Sequence, residues 1–229
     1  MTGAEAITQI QQGLGWRSDK AVEILAALNF AQDEREQPGK TLPWYLLAED
    51  QPLVVSSGVQ AVALPTGFIK EVEERDGNLR YQPNATSRTL FLTKTSYENA
   101  EKFFFGDWRV EDLSATASVA TVVIGAPRAY VLRGNTIRVY PRPDTAYTLT
   151  WSYWSHDVDV TNGSETNQWL TYNPWVIVGE AGLKMAADLQ NAAAVQKFAT
   201  ILQRAEASLM SSIVERELAG RRLTMGSRL

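Results

Sequence analysis

Apolar positions near the start of the chain recur at helical spacing. Residues 2–12 fit a short helix that Gly13-Leu14-Gly15 interrupts. Ser18 or Asp19 is then placed to cap a second helix in which Ala21, Leu25 and Leu28 fall at i, i+4 and i+7, with Val22 flanking the stripe. Pro38-Gly39 marks its end. The apolar stretch Leu42-Pro43-Trp44-Tyr45-Leu46-Leu47 carries a proline that forbids an ordinary central strand, so it reads as an irregular anchor docked on the core.

From about residue 53 to residue 155 the period shortens. Leu53 to Val55, Val59 to Leu64, Phe68 to Glu74, Leu79 to Gln82 and Thr89 to Thr93 are short β-rich segments separated by Gly, Pro, Asn and Asp, the grammar of antiparallel strands. A short helix is expected from Ser96 to Phe105, ended by Gly106. Tyr130 to Arg133 and Thr136 to Tyr140, joined by Gly134-Asn135, form the clearest hairpin, because a two-residue connection with glycine suits a primed turn. Ala146 to Trp154 alternates strictly. Tyr147, Leu149, Trp151 and Tyr153 share one face and Thr148, Thr150 and Ser152 the other, so one face is core and one is wet.

After a polar loop over His156 to Gln168, Asn173-Pro174 opens a helix to about Gln190. A longer helix, Ala192 to Ala219, carries Val195, Phe198, Leu202, Ala205, Leu209 and Ile213 at spacings of three or four, and Gly220 supplies a stop. These two helices are expected to pack as an antiparallel hairpin against the N-terminal helix. The fold class is therefore α+β: a helical bundle of N- and C-terminal helices with an inserted antiparallel β domain, sandwich or barrel-like. The expected organisation is 1–48 and 166–220 for the helical platform, 49–165 for the β insertion, and 221–229 for a basic tail with Arg221, Arg222 and Arg228 and no acid.

Composition narrows the classes of function. With 22 Lys and Arg against 26 Asp and Glu the formal net charge is −4, so no global basic field drives binding to nucleic acid. The absence of cysteine removes disulfides, thiolate metal sites and thiol nucleophiles together, and suits a reducing cytosol. The start lacks the basic end and apolar run of a secretory signal, and no run reaches membrane-spanning length, which predicts a soluble, unexported protein without a membrane partner.

Candidate chemistry is sparse. No phosphate loop, zincin, nucleophile elbow or dinucleotide fingerprint is present. Asp157-Val158-Asp159-Val160-Thr161-Asn162-Gly163 begins like a calcium loop, but Gly163 falls one place late and Gln168 stands where the closing Glu is needed, so an Asn-Gly turn is the better reading. Glu71 and Glu73 share a strand face as a glycosidase pair would, yet Lys70, Arg75 and Asp76 around them indicate solvated surface. The lone histidine, His156, weakens most zinc sites. It has no Ser or Cys at nucleophile spacing and reads as structural or surface. A row of Trp and Tyr on a β-sandwich could stack on sugar rings, but Trp151 and Tyr153 share their face with Leu149, as core residues do.

Three blocks together resemble the head-tail adaptor proteins of short-tailed bacteriophages. The first runs from Gly125-Ala126-Pro127-Arg128-Ala129-Tyr130 through Ile137-Arg138-Val139-Tyr140-Pro141-Arg142-Pro143 to Tyr147-Thr148-Leu149-Thr150-Trp151-Ser152-Tyr153. The second is Asn167-Gln168-Trp169-Leu170, Pro174 and Ala181-Gly182-Leu183 before a long amphipathic helix. The third is Leu64-Pro65-Thr66-Gly67-Phe68. The resemblance implies a structural, non-enzymatic virion protein of the phage neck, assembled in the host cytoplasm and needing no cofactor. It further implies a homo-oligomeric, dodecameric ring beneath the portal protein that continues the DNA channel without sequence-specific binding and offers a platform to tail nozzle and tail fibre proteins. The basic tail is the candidate portal-binding segment: Arg221, Arg222 and Arg228 would meet acidic or carbonyl groups while Leu223 and Leu229 fill small pockets. The alternative is a carbohydrate- or host-receptor-binding β module of a tail component. The helical C-terminal third argues against that reading.

Overall fold

A computed structural model describes residues 1–72, 78–83, 87–100 and 123–225. The chain divides into a helical unit, Met1–Leu46 with His156–Leu229, and a β unit, Leu47–Ser155.

The helical unit opens on a capping box. The Thr2 hydroxyl accepts the Glu5 amide at 3.3 Å while the Glu5 carboxylate accepts the Thr2 amide at 2.8 Å, satisfying two amides that the helix leaves unpaired. Helix α1 (Gly3–Gly13) buries Ala6 and Ile10. Helix α2 (Ala21–Arg35) follows a single 3-10 turn, Ser18–Lys20, and has no side-chain cap. Asp19 is held by Arg17 at 2.9 Å instead. Its buried stripe is Ile24, Ala27, Leu28 and Ala31, rotated from the expected Ala21-Leu25-Leu28 face, and Val22 is exposed. Apolar residues lie all round this helix, so periodicity could not choose between faces.

Asn167 caps the short helix α3 (Gln168–Tyr172) by accepting the Leu170 amide at 2.9 Å. Helix α4 (Pro174–Asp188) starts at proline as expected, and α5 spans Ala192–Met225. At 34 residues α5 is about 51 Å long, more than twice α4. It runs through Gly220 rather than stopping there, since an isolated glycine costs a helix only about 1 kcal/mol unless its backbone turns left-handed.

α4 and α5 approach closely because small residues line the contact. A methyl group on Gly179 would lie 3.1 Å from the backbone of Leu202. Phe198 of α5, 1% exposed, fills the space left by two glycines: a methyl on Gly182 would lie 2.7 Å from its Cγ, and one on Gly13 of α1 2.8 Å from its Cε2. One ring thus keys three helices together. Arg35 at the end of α2 adds a polar clasp, pairing with Glu180 of α4 and, at 2.5 Å, with Glu206 of α5.

In the β unit, β1 (Leu47–Val55), β9 (Tyr147–Ser155), β4 (Arg80–Tyr81) and β5 (Leu90–Phe91) form one sheet in that order, with β3 (Phe68–Glu71) also paired to β9. The second sheet has the order β2 (Ala61–Ala63), β8 (Thr136–Tyr140), β7 (Ala129–Arg133), β6 (Thr93–Lys94), and its β6–β7 pair is parallel. Neither sheet closes into a barrel among the described residues, which removes the barrel-like option. The anchor expected to stay irregular through Leu47 is a 3-10 turn, Trp44–Leu46, and β1 then begins at Leu47 and continues through Pro52 after a register shift between Ala48 and Gln51. β1 lies at the edge of its sheet, where a missing N–H costs no ladder bond.

The core gathers Leu53, Val55, Leu79, Tyr81, Leu92, Tyr130, Ile137, Val139, Leu149, Trp151 and Tyr153. The β7–β8 hairpin turns at Gly134, φ 56°, with Arg133 opposite Thr136, as the Gly-Asn connection predicts. The alternating face of β9 points inward, and Trp151 stacks on Phe68 with centroids 5.1 Å apart. The expected helix after Ser96 is helical over residues 97–100, and its remainder lies outside the described residues.

Candidate functional site

Asn29, Gln32, Asp33 and Glu36 fall at i, i+3, i+4 and i+7 on α2 and its cap, a polar stripe at helical spacing. The stripe grips the segment following β9. Asn29 exchanges two hydrogen bonds of 3.1 Å with the backbone of Val160, pairing with it as a neighbouring strand would. Gln32, 1% exposed, donates to the Asp157 carbonyl at 3.0 Å and accepts from Asn167 at 2.6 Å.

Glu36 is the deepest member. Its side chain has no exposure, and it accepts the Trp169 indole N–H at 2.6 Å and the Asp157 amide at 3.1 Å. His156 Nδ1 lies 2.6 Å from the Asp157 carbonyl and 3.2 Å from Glu36, and Nε2 lies 3.0 Å from Asp33. Burial pushes the Glu36 carboxyl well above the usual carboxylate range, against the opposing pull of Trp169 and His156. Burial also lowers His156, but the Asp157 carbonyl and the Glu36 and Asp33 carboxylates outweigh it and raise the imidazole above its ordinary value. Both folded-state values are raised, so the native state holds protons that the unfolded chain releases, and this contribution to stability is lost as pH rises toward and past neutrality. The melting temperature in chelator-containing buffer is expected to be higher at about pH 5.5 than at about pH 8. A flat or rising profile would contradict the assignment.

Within the calcium-like segment the Asp157 carboxylate is taken up by backbone amides. Asp157 accepts the amides of Val158, Gln168 and Trp169, and Glu165 accepts from Thr161 and Asn162, which makes the segment a turn and a helix cap. Glu71 corrects the expectation of solvated surface: it is 8% exposed, holds the Tyr130 hydroxyl and pairs with Lys94 at 3.0 Å. Glu73, Arg75 and Asp76 lie outside the described residues. Trp151 and Tyr153, at 1% and 7% exposure, offer no open stacking face to a sugar.

Of the candidate portal-binding residues, Arg221, Arg222 and Leu223 lie on the last turns of α5, whereas Arg228 and Leu229 lie outside the described residues. The helix that carries them is fastened just upstream, where the Arg216 guanidinium sits 3.6 Å from the ring centre of Trp44. Trp44 and Tyr45 in turn pack on Tyr172 at 5.0 and 5.1 Å. The same unit exposes Trp16, Trp175 and Met210, residue types that partner surfaces favour. Among the described residues no helix is long and apolar enough to cross a membrane.

Helices at both ends, an internal sheet domain and a polar stripe that holds backbone make up an α+β architecture. The chain belongs to the SU10 adaptor protein family, whose model matches residues 1–226 and so spans both units. It is a bacteriophage adaptor, in agreement with the resemblance carried by the motif blocks. No curated protein matches it.

Proposed function

We propose that this adaptor acts in the virion neck, binding beneath the portal ring, continuing the DNA channel and presenting a platform to tail nozzle and tail fibre proteins. The observation that carries this reading is the family match over residues 1–226, nearly the whole chain. Other features support it. An acidic chain does not trap DNA moving through a channel, and the exposed aromatic and Met side chains of the helical unit suit docking on protein. Portal organises the chains into a ring, twelve to match the portal, through heterologous contacts of the kind that close cyclic assemblies. The protein is not an enzyme, needs no cofactor, passes DNA without reading its sequence, and assembles in the host cytoplasm.

Portal contact is assigned to Arg221, Arg222, Leu223, Arg228 and Leu229. Arg216 on Trp44 holds the preceding turn, so the end of α5 presents this basic segment on a supported stem. Removing every residue after Gly220 is expected to leave the circular dichroism and melting temperature essentially unchanged while weakening association with the cognate portal at least tenfold, about 1.4 kcal/mol. Co-sedimentation with purified portal measures this. Equal affinity of the truncated and full chains would move the contact elsewhere on the helices.

A further inference from the structure

We propose that Asp33, His156 and Asp159 form a site for a divalent transition-metal ion of the Zn2+ type. One ligand atom from each residue lies within 4.8 Å of the other two. Two atoms each bound about 2.1 Å from one ion stand about 3.4 Å apart at the tetrahedral angle and about 3.0 Å apart at a right angle. The His156 Nε2 to Asp33 Oδ1 separation of 3.0 Å lies at the short end of this range. Asp159 is exposed and offers the third ligand atom.

The tautomer supplies an independent argument. A carbonyl oxygen can only accept, so the 2.6 Å contact to Asp157 O requires the proton on His156 Nδ1. Nε2 is then the nitrogen turned toward Asp33, 3.0 Å from its Oδ1. Behind the ring, Glu36 Oε2 lies 3.2 Å from Nδ1 and is itself fixed by Trp169 and the Asp157 amide. A buried carboxylate behind a histidine, with the outward nitrogen aimed at further ligands, is the arrangement that orients metal-binding imidazoles and raises their basicity.

The donor set selects the class of ion. One imidazole and two carboxylates suit Zn2+, Co2+ or Ni2+, whereas Ca2+ asks for six to eight oxygens and Cu(I) for sulfur. Asp33 and Asp159 are exposed and His156 is half-buried, so the ion enters from solvent and keeps water in its remaining positions. Bound there, it would staple α2 to the segment after β9 and stabilise the native state by mass action.

Isothermal titration of the full chain with ZnCl2 at about pH 7.5, after chelator treatment, tests the site. The expected result is one ion per chain, a Kd of about 10 µM or tighter, and a higher melting temperature with Zn2+. The double variant Asp33→Asn, Asp159→Asn changes two exposed residues and should keep the native circular dichroism spectrum while losing at least tenfold in affinity. Asp33→Asn and His156→Ala singly should each lose affinity as well. No binding at about 100 µM Zn2+, or affinity within threefold of the parent in the double variant, would overturn the proposal.

Discussion

Phe198→Ala should cost about 4 kcal/mol of stability in urea unfolding followed by far-ultraviolet circular dichroism, the largest effect expected of a single substitution in the helical unit. The ring is 1% exposed and sits where Gly182 of α4 and Gly13 of α1 both leave room for it. Truncation removes the ring's transfer energy and also opens a cavity that three helices cannot easily close, because Gly179 already brings α4 against the Leu202 backbone. The complementary change makes the same point from the other side. Gly182→Ala places a methyl 2.7 Å from Phe198 Cγ, and a buried ring wedged between two helices has little freedom to retreat, so a loss of about 2 kcal/mol is expected. In the Phe198→Ala background the Gly182→Ala change should cost little. Additive losses would mean that the glycine and the ring do not share one space.

Glu36→Ala is expected to cost about 3 kcal/mol, through groups it strands rather than apolar area it removes. Its carboxylate accepts both the Trp169 indole N–H and the Asp157 amide inside the fold. Without it these donors are left in a site with little access to water, and each unsatisfied group costs about 1–3 kcal/mol. A double-mutant cycle with Trp169→Phe separates this from simple loss of packing. In the Glu36→Ala background, removing the indole N–H should be less damaging than in the parent, with a coupling of about 1 kcal/mol or more. Coupling near zero would show that the hydrogen bond contributes nothing.

Where one periodicity had a single solution, the sequence was readable. Strict alternation from Tyr147 to Tyr153 allowed only one inward face, and Leu149, Trp151 and Tyr153 on that face are buried. Gly134-Asn135 allowed one tight turn between two apolar runs, and the register follows it. The stripe from Val195 to Ile213 on α5 faces its neighbours in the same way. α2 offered apolar residues on several faces, so its buried side was set by what packs on it rather than by its own pattern. Pro52 argued against a strand, but only pairing could reveal that its strand lies at an edge.

The polar features were less legible because polar residues default to solvent in a sequence reading. Asn29, Gln32, Asp33 and Glu36 were at helical spacing all along. Nothing local shows that their partner is a backbone segment more than a hundred residues away. Glu71 was read as surface from its charged neighbours in sequence, whereas burial is decided by Tyr130 and Lys94 from other strands. His156 gave no sign of its partners because Asp33 and Glu36 come from a stretch of chain far from it in sequence. The family resemblance succeeded for the opposite reason: it rested on ordered blocks along the chain, which need no knowledge of contacts.

Electron microscopy of the purified protein, alone and mixed with its cognate portal ring, tests the adaptor account most directly. Single chains are expected without portal and, with it, a second ring of twelve copies stacked beneath the portal around a continuous channel. Intact portal rings that remain bare at micromolar concentrations of the protein, or a compact dimer that persists with and without portal, would contradict it.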